Sequence, residues 1–159
     1  MTNLISAAGL KALQDEYDEL WRRVRPEVVR ALADAAAEGD RSENAEYIYR
    51  KKQLREIDRK LKHLGARIKV LKVAAPPARP HSVSFGCWVC YEDEDGRESC
   101  YQLVGPDEFD VAEGRISIDS PVGQALLQKK VDDEVTIRRP AGAITVVITS
   151  ISATRPDNI

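Results

Sequence analysis

Gly39-Asp40-Arg41-Ser42-Glu43-Asn44-Ala45-Glu46-Tyr47 is the stretch on which the fold turns. It separates two long segments whose apolar residues recur at helical spacing. Ahead of it, Leu10, Leu13, Tyr17, Leu20 and Val24 follow at steps of three and four, the rhythm of a coiled-coil seam. Val28, Ala31 and Ala35 keep that rhythm beyond Pro26, which is expected to cost one backbone hydrogen bond and bend the helix. Behind the turn the pattern repeats through Tyr47, Arg50, Leu54, Ile57, Leu61, Leu64, Ile68 and Leu71. Folding the chain back antiparallel sets Leu20 against Leu61, Val24 against Ile57 and Val28 against Leu54. Seams that match across so short a turn predict an intramolecular hairpin in a monomer.

Ser6 is the expected N-cap of the first helix and Gly39 its terminator. At 1.5 Å per residue the helices make a rod roughly 48 Å long, with Asp40 and Glu43 at its far tip. Two readings of those acids stand side by side. Asp40-x-x-Glu43 is a capping box for the second helix; equally, two exposed carboxylates offer hard oxygen ligands to a Mg²⁺ whose other ligands come from a partner.

Charge is unevenly spread. Residues 1–75 carry 16 Lys and Arg against 12 Asp and Glu, a net of +4, whereas residues 76–159 carry 8 against 14, a net of −6. Between Arg50 and Lys72 ten basic residues (Arg50, Lys51, Lys52, Arg55, Arg59, Lys60, Lys62, Arg67, Lys69 and Lys72) face only Glu56 and Asp58. A helix laced by its own salt bridges would alternate in sign. This one suits attraction to an RNA or DNA backbone, with Tyr47 and Tyr49 the few aromatics near it.

Ala74-Ala75-Pro76-Pro77-Ala78-Arg79-Pro80 reads as an extended linker. Beyond it the period shortens to that of strands: Val83–Tyr91, a turn at Asp93-Glu94-Asp95-Gly96, then Ser99–Val104, Arg115–Ile118, Val135–Arg138 and Ala143–Ile151. One short helix begins at Ser120-Pro121, with serine capping and proline at the first helical position. The prediction is a coiled-coil hairpin over 1–75, a proline-rich linker over 76–81, and a small α+β domain with an antiparallel sheet over 82–155. Cys87, Cys90 and Cys100 are odd in number and lack a complementary zinc-ligand set, so free thiols are expected. No run nears the ~18 apolar residues of a membrane span; a cytoplasmic protein is expected. Nucleophile elbows, phosphate-binding loops and zinc-protease motifs are absent, which argues against a self-contained hydrolase.

The turn itself, the run Lys51-Lys52-Gln53-Leu54-Arg55-Glu56-Ile57-Asp58-Arg59, and Trp21-Arg22 with Arg25-Pro26-Glu27-Val28 resemble the bacterial transcript cleavage factors GreA and GreB. Phe85-Gly86-Cys87-Trp88-Val89, Ile116-Ser117-Ile118-Asp119-Ser120-Pro121 and Pro140-Ala141-Gly142 extend the resemblance over nearly the whole chain. It implies an FKBP-like fold for the second domain, which docks on bacterial RNA polymerase through Asp119, Ser120 and Pro121. The coiled coil then enters the secondary channel. Asp40 and Glu43, as the tip acids, would share a catalytic Mg²⁺ with the polymerase and stimulate its cleavage of backtracked RNA at the nascent 3′ end. Arg50, Lys51, Lys52, Arg55 and Arg59 would contact that RNA. On this reading the protein is an activator and not itself an enzyme. Two other readings are a channel binder that regulates without stimulating cleavage, and a prolyl isomerase suggested by the fold alone.

Overall fold

The computed structural model describes residues 2–39 and 44–157. The chain divides into two compact units, Leu10–Leu71 and a second made of Met1–Gly9 with Lys72–Ile159.

The helical unit follows from the two apolar seams. Helix α1 spans Ala7–Glu19 and α2 spans Arg25–Ala36, joined by a widened π turn over Leu20–Val24. Pro26 explains that widening. The Arg25 N–H bonds the carbonyl of Leu20, five residues back, and Pro26, which has no N–H to give and crowds the preceding turn, follows directly. After the tip, α3 spans Ala45–Val70, about 39 Å at 1.5 Å per residue. Val28, Ile57 and Leu61 form the buried centre of the hairpin, flanked by Tyr17, Leu20, Val24 and Leu54. These are residues the matched seams set face to face. Arg25 to Asp58 at 2.7 Å and Lys60 to Glu16 at 2.6 Å tie the helices across their rims. Such exposed pairs are worth about 0–1 kcal/mol each and fix register more than stability.

The second unit begins with a two-residue pairing. Leu4–Ile5 (β1) runs parallel to Lys72–Val73 (β2), with Leu4 opposite Lys72 and Ile5 opposite Val73. Ser6 is the helix cap expected: its Oγ accepts from the Gly9 N–H at 3.0 Å.

The main sheet has strands β3 (Trp88–Glu92), β4 (Glu98–Val104), β5 (Arg115–Ser117), β6 (Glu134–Arg139) and β7 (Gly142–Ser152), in the order β5-β4-β3-β7-β6. It is mixed and not purely antiparallel as expected, because β5 pairs parallel to β4, Leu103 lying opposite Ile116. A three-residue strand has no pattern that reveals its direction. The strand expected from Val83 starts only at Trp88. Before it, Ser84–Cys87 makes a turn in which Gly86 takes φ +83°, and a Cβ there would lie 2.7 Å from the Pro76 ring. Val83, Val89, Leu103, Leu126, Ile137, Val146 and Ile148 build the core, with Leu126 supplied by α4 (Pro121–Leu126).

The cysteines also depart from expectation. β3–β4 register sets Cys90 opposite Cys100, and the two are disulfide-bonded, while Cys87 is free and buried. Spacing along the chain cannot disclose a partner that faces a residue only through strand pairing. No described helix is long and apolar enough to cross a membrane.

Candidate functional site

The candidate residues fall in two places, one on each unit. On the helical unit, α2 ends at Ala36 and α3 begins at Ala45. Asn44 joins them. Its Oδ1 accepts from the Tyr47 N–H at 3.0 Å, capping α3, and its Nδ2 donates to the Ala35 carbonyl at 2.6 Å, satisfying an acceptor at the end of α2. The N-cap of α3 is therefore Asn44, and the capping box expected of Asp40 and Glu43 is corrected. Asp40 and Glu43 themselves lie outside the described residues.

The basic row is sorted by the helix. Arg67 is buried, so it leaves the solvent row to which its charge assigned it. Lys51, Lys52, Arg55 and Arg59 are exposed. At 100° per residue Lys52, Arg55 and Arg59 fall on the face of α3 opposite Ile57, Leu61 and Leu64, with Lys51 on its flank. Among the described residues Lys52, Arg55 and Arg59 make no ion pair. Arg50 is already engaged: its Nε donates to Glu46 at 2.8 Å and Nη1 to Gln53 at 2.9 Å, with the guanidinium 5.4 Å from the Tyr49 ring. Lys51 sits 5.8 Å from the ring of Tyr47. Ile48 and Tyr49 are more than half exposed beside this face, giving it apolar as well as cationic character.

On the sheet unit, Asp119, Ser120 and Pro121 form the loop between β5 and α4. Ser120 caps α4, its Oγ accepting from Gly123 N–H at 3.1 Å and donating to the Ser117 carbonyl at 2.6 Å. Pro121 opens the helix, as expected from sequence. Gly123 is required by closeness, because a Cβ would lie 2.4 Å from the Ser117 carbonyl oxygen. Asp119 is held from an unexpected direction. Thr2 donates its N–H at 2.9 Å and its hydroxyl at 2.5 Å to the two carboxylate oxygens. These bonds favour the ionised form and hold Asp119 below its ordinary carboxylate range. The loop borders an apolar groove of about 440 Å³ walled by Tyr91, Tyr101, Phe109, Val111 and Ile116, with Ser120 at its edge. Burial is the main cause that pushes the Tyr91 phenol up to about 12.

Glu108 is a further anchor that sequence reasoning missed. Its carboxylate accepts from both the Ser6 N–H and hydroxyl, at 2.8 and 2.6 Å. Neither Thr2 nor Glu108 had a sequence signal, since their partners are 117 and 102 residues away. Asn44 did have one: asparagine directly before a helix is a favoured cap.

The family described as "Transcription elongation factor, GreA/GreB, C-term" matches residues 78–153, and "Transcription elongation factor, N-terminal" matches residues 3–73. The chain belongs to the GreA/GreB family. Among relatives of this GreA/GreB chain, "Transcription elongation factor GreB" of Xanthomonas axonopodis pv. citri is 54% identical over 152 residues, covering 94% of this chain and 90% of the relative. The GreB protein of Yersinia pestis is 52% identical over 151 residues, covering 94% and 88%. A solved structure titled "Prokaryotic transcription elongation factor GreA/GreB from Nitrosomonas europaea" is 22% identical, covering 95% of this chain and 99% of that one, with a TM-score of 0.42.

Proposed function

We propose that this GreA/GreB chain is a non-enzymatic elongation factor that binds bacterial RNA polymerase as a monomer and stimulates the polymerase's own cleavage of backtracked RNA. In this reading the loop at Asp119, Ser120 and Pro121 docks on the polymerase, with Ser120 and Pro121 as the contacting residues and Asp119 positioning them through Thr2. The hairpin enters the secondary channel with its tip leading. Lys51, Lys52, Arg55 and Arg59 draw in the extruded RNA near its 3′ end, and Arg50 stiffens the helix through Glu46 and Gln53.

Asp40 and Glu43 then act at the polymerase active site. Carboxylates are the hard oxygen donors that Mg²⁺ prefers, and two of them alone make a weak site, so the ion would be shared with the polymerase. A second Mg²⁺ supplies activation of water and charge stabilisation in such displacements. What this chain contributes is placement of two negative charges at the end of a stiff hairpin.

One observation carries the reading: Asn44 occupies the cap of α3, so the structural alternative for the conspicuous acids beside it has another owner. The test is the double substitution Asp40→Asn with Glu43→Gln, assayed on stalled, backtracked polymerase complexes at saturating factor. Binding should match wild type in competition, and RNA shortening should be lost. Near-wild-type cleavage by this variant would remove the metal role. A wild-type protein that binds yet never shortens the RNA would favour the channel-blocking alternative. Free RNA should remain intact in every case, as expected of an activator.

A further inference from the structure

The Cys90–Cys100 pair has no part in the reading above, yet it occupies a mechanically central position. The two residues face each other across β3 and β4, with Cα atoms 4.1 Å apart. Side chains alternate across a sheet, so their sequence neighbours Tyr91 and Tyr101 point to the other face. There the two rings lie 6.1 Å apart and wall the apolar groove. β4 in turn carries β5 through the parallel ladder from Gln102–Arg115 to Val104–Ser117. The Ile118 N–H bonds the Val104 carbonyl at 2.7 Å, directly before Asp119, Ser120 and Pro121. A bond that fixes β4 against β3 therefore bears on the groove wall and on the loop beyond it.

We propose that Cys90 and Cys100 form a reversible thiol–disulfide switch that sets the packing of Tyr91 against Tyr101 and, through β4 and β5, the loop Asp119-Ser120-Pro121. The importance for the loop rests on the polymerase reading above. A factor working beside polymerase meets a thiol-rich compartment, where protein disulfides are usually transient or redox-sensing and not permanent staples. Access fits a switch: Cys90 is buried, Cys100 is partly exposed, and Cys87 is buried at the turn before β3. The oxidant is a small-molecule disulfide. The Cys100 thiolate attacks one of its sulfurs, forming a mixed disulfide and expelling one small thiolate. The Cys90 thiolate then attacks the Cys100 sulfur, forming the internal bond and expelling the second. The two cysteines lose two protons and two electrons, and the reagent becomes two thiols; excess small thiol runs the same steps backward.

The test equilibrates the full chain in graded mixtures of reduced glutathione and glutathione disulfide, followed by denaturing alkylation and mass measurement. Of the three cysteines, all should be alkylated at the reducing end and Cys87 alone at the oxidising end. Near-ultraviolet circular dichroism of the tyrosines should change along the same curve. Cys100→Ser should hold the reduced-form spectrum at every ratio. Cys90→Ala gives the same check without placing a hydroxyl in a buried position. Three reactive thiols throughout, or identical tyrosine spectra in the two forms, would overturn the switch. A second arm measures polymerase binding by each form, with several-fold tighter binding expected when the disulfide preorganises the wall. Equal binding would refute transmission to the loop. Failure of both forms to bind would instead refute the polymerase reading, while the tyrosine signal still decides the switch.

Discussion

Asn44→Ala tests the idea that one side chain holds the two helix ends together. The substitution removes two bonds: the cap from Tyr47 N–H at 3.0 Å and the donation to the Ala35 carbonyl at 2.6 Å. An N-cap lost to alanine costs about 0.5–2 kcal/mol. The second bond adds about 0.5–1.5 kcal/mol, since Asn44 is half-buried and water only partly replaces it. The total, about 1–3.5 kcal/mol, should appear locally, because Val28, Ile57 and Leu61 secure the hairpin farther down. Hydrogen exchange is the suitable assay. Protection of the first-turn amides of α3, such as Ile48, should fall roughly 5- to 300-fold at about tenfold per 1.4 kcal/mol, while amides near Leu61 hardly change. Asn44→Asp should do less harm, because it keeps the acceptor and suits the positive end of the helix dipole while losing the donor. Asp40→Asn with Glu43→Gln should leave this protection unchanged. If the Asn44→Ala loss is negligible, or if the carboxylate double variant frays α3 as strongly, then Asn44 is not the cap in solution and the capping reading of the acids returns.

Three further outcomes are expected. Leu61→Ala, at a buried seam position, should destabilise the hairpin by about 2–5 kcal/mol, lowering its melt while the sheet unit's transition stays in place; a protein mass that halves on dilution would argue against a monomeric hairpin. Replacing Lys52, Arg55 and Arg59 with Gln should weaken the response of deeply backtracked complexes more than slightly backtracked ones. That difference should shrink as salt shortens the Debye length below ~10 Å, and equal loss in both would indicate a general docking or folding role. Tyr91, whose ordinary value of 10.0 is raised to about 12 by burial, sets an alkaline limit. Its raised folded value means the stabilisation is whole below pH 10 and is lost as pH climbs to about 12, by at most about 2–3 kcal/mol. Tyr91→Phe should flatten that part of an alkaline stability profile, and an unchanged profile would place the loss elsewhere.

The sequence alone determined the features governed by near neighbours. The three-and-four spacing of Leu20, Val24, Ile57 and Leu61 defined the hairpin and its seam, because helical periodicity is local and the short turn left only one way to match the faces. Ser6 and Ser120-Pro121 announced their helices for the same reason: a cap bonds an N–H two or three residues ahead. The family's motifs were equally legible. Tertiary structure decided the rest. Asp40 and Asn44 are both good caps by residue type, and the cap of α3 is Asn44, which also donates to the Ala35 carbonyl. Arg67 carries a charge that suggests solvent, yet its position on α3 buries it. β5 runs parallel to β4 because residues 105–114 bring the chain back along the sheet before it pairs, which Arg115–Ser117 themselves do not encode. Cys90 meets Cys100, and Thr2 meets Asp119 across 117 residues, only because strand register and chain return bring them together. Local bonds leave their pattern in adjacent residues, whereas pairing between distant segments depends on how the whole chain closes its hydrogen bonds and core, and no short stretch carries that information.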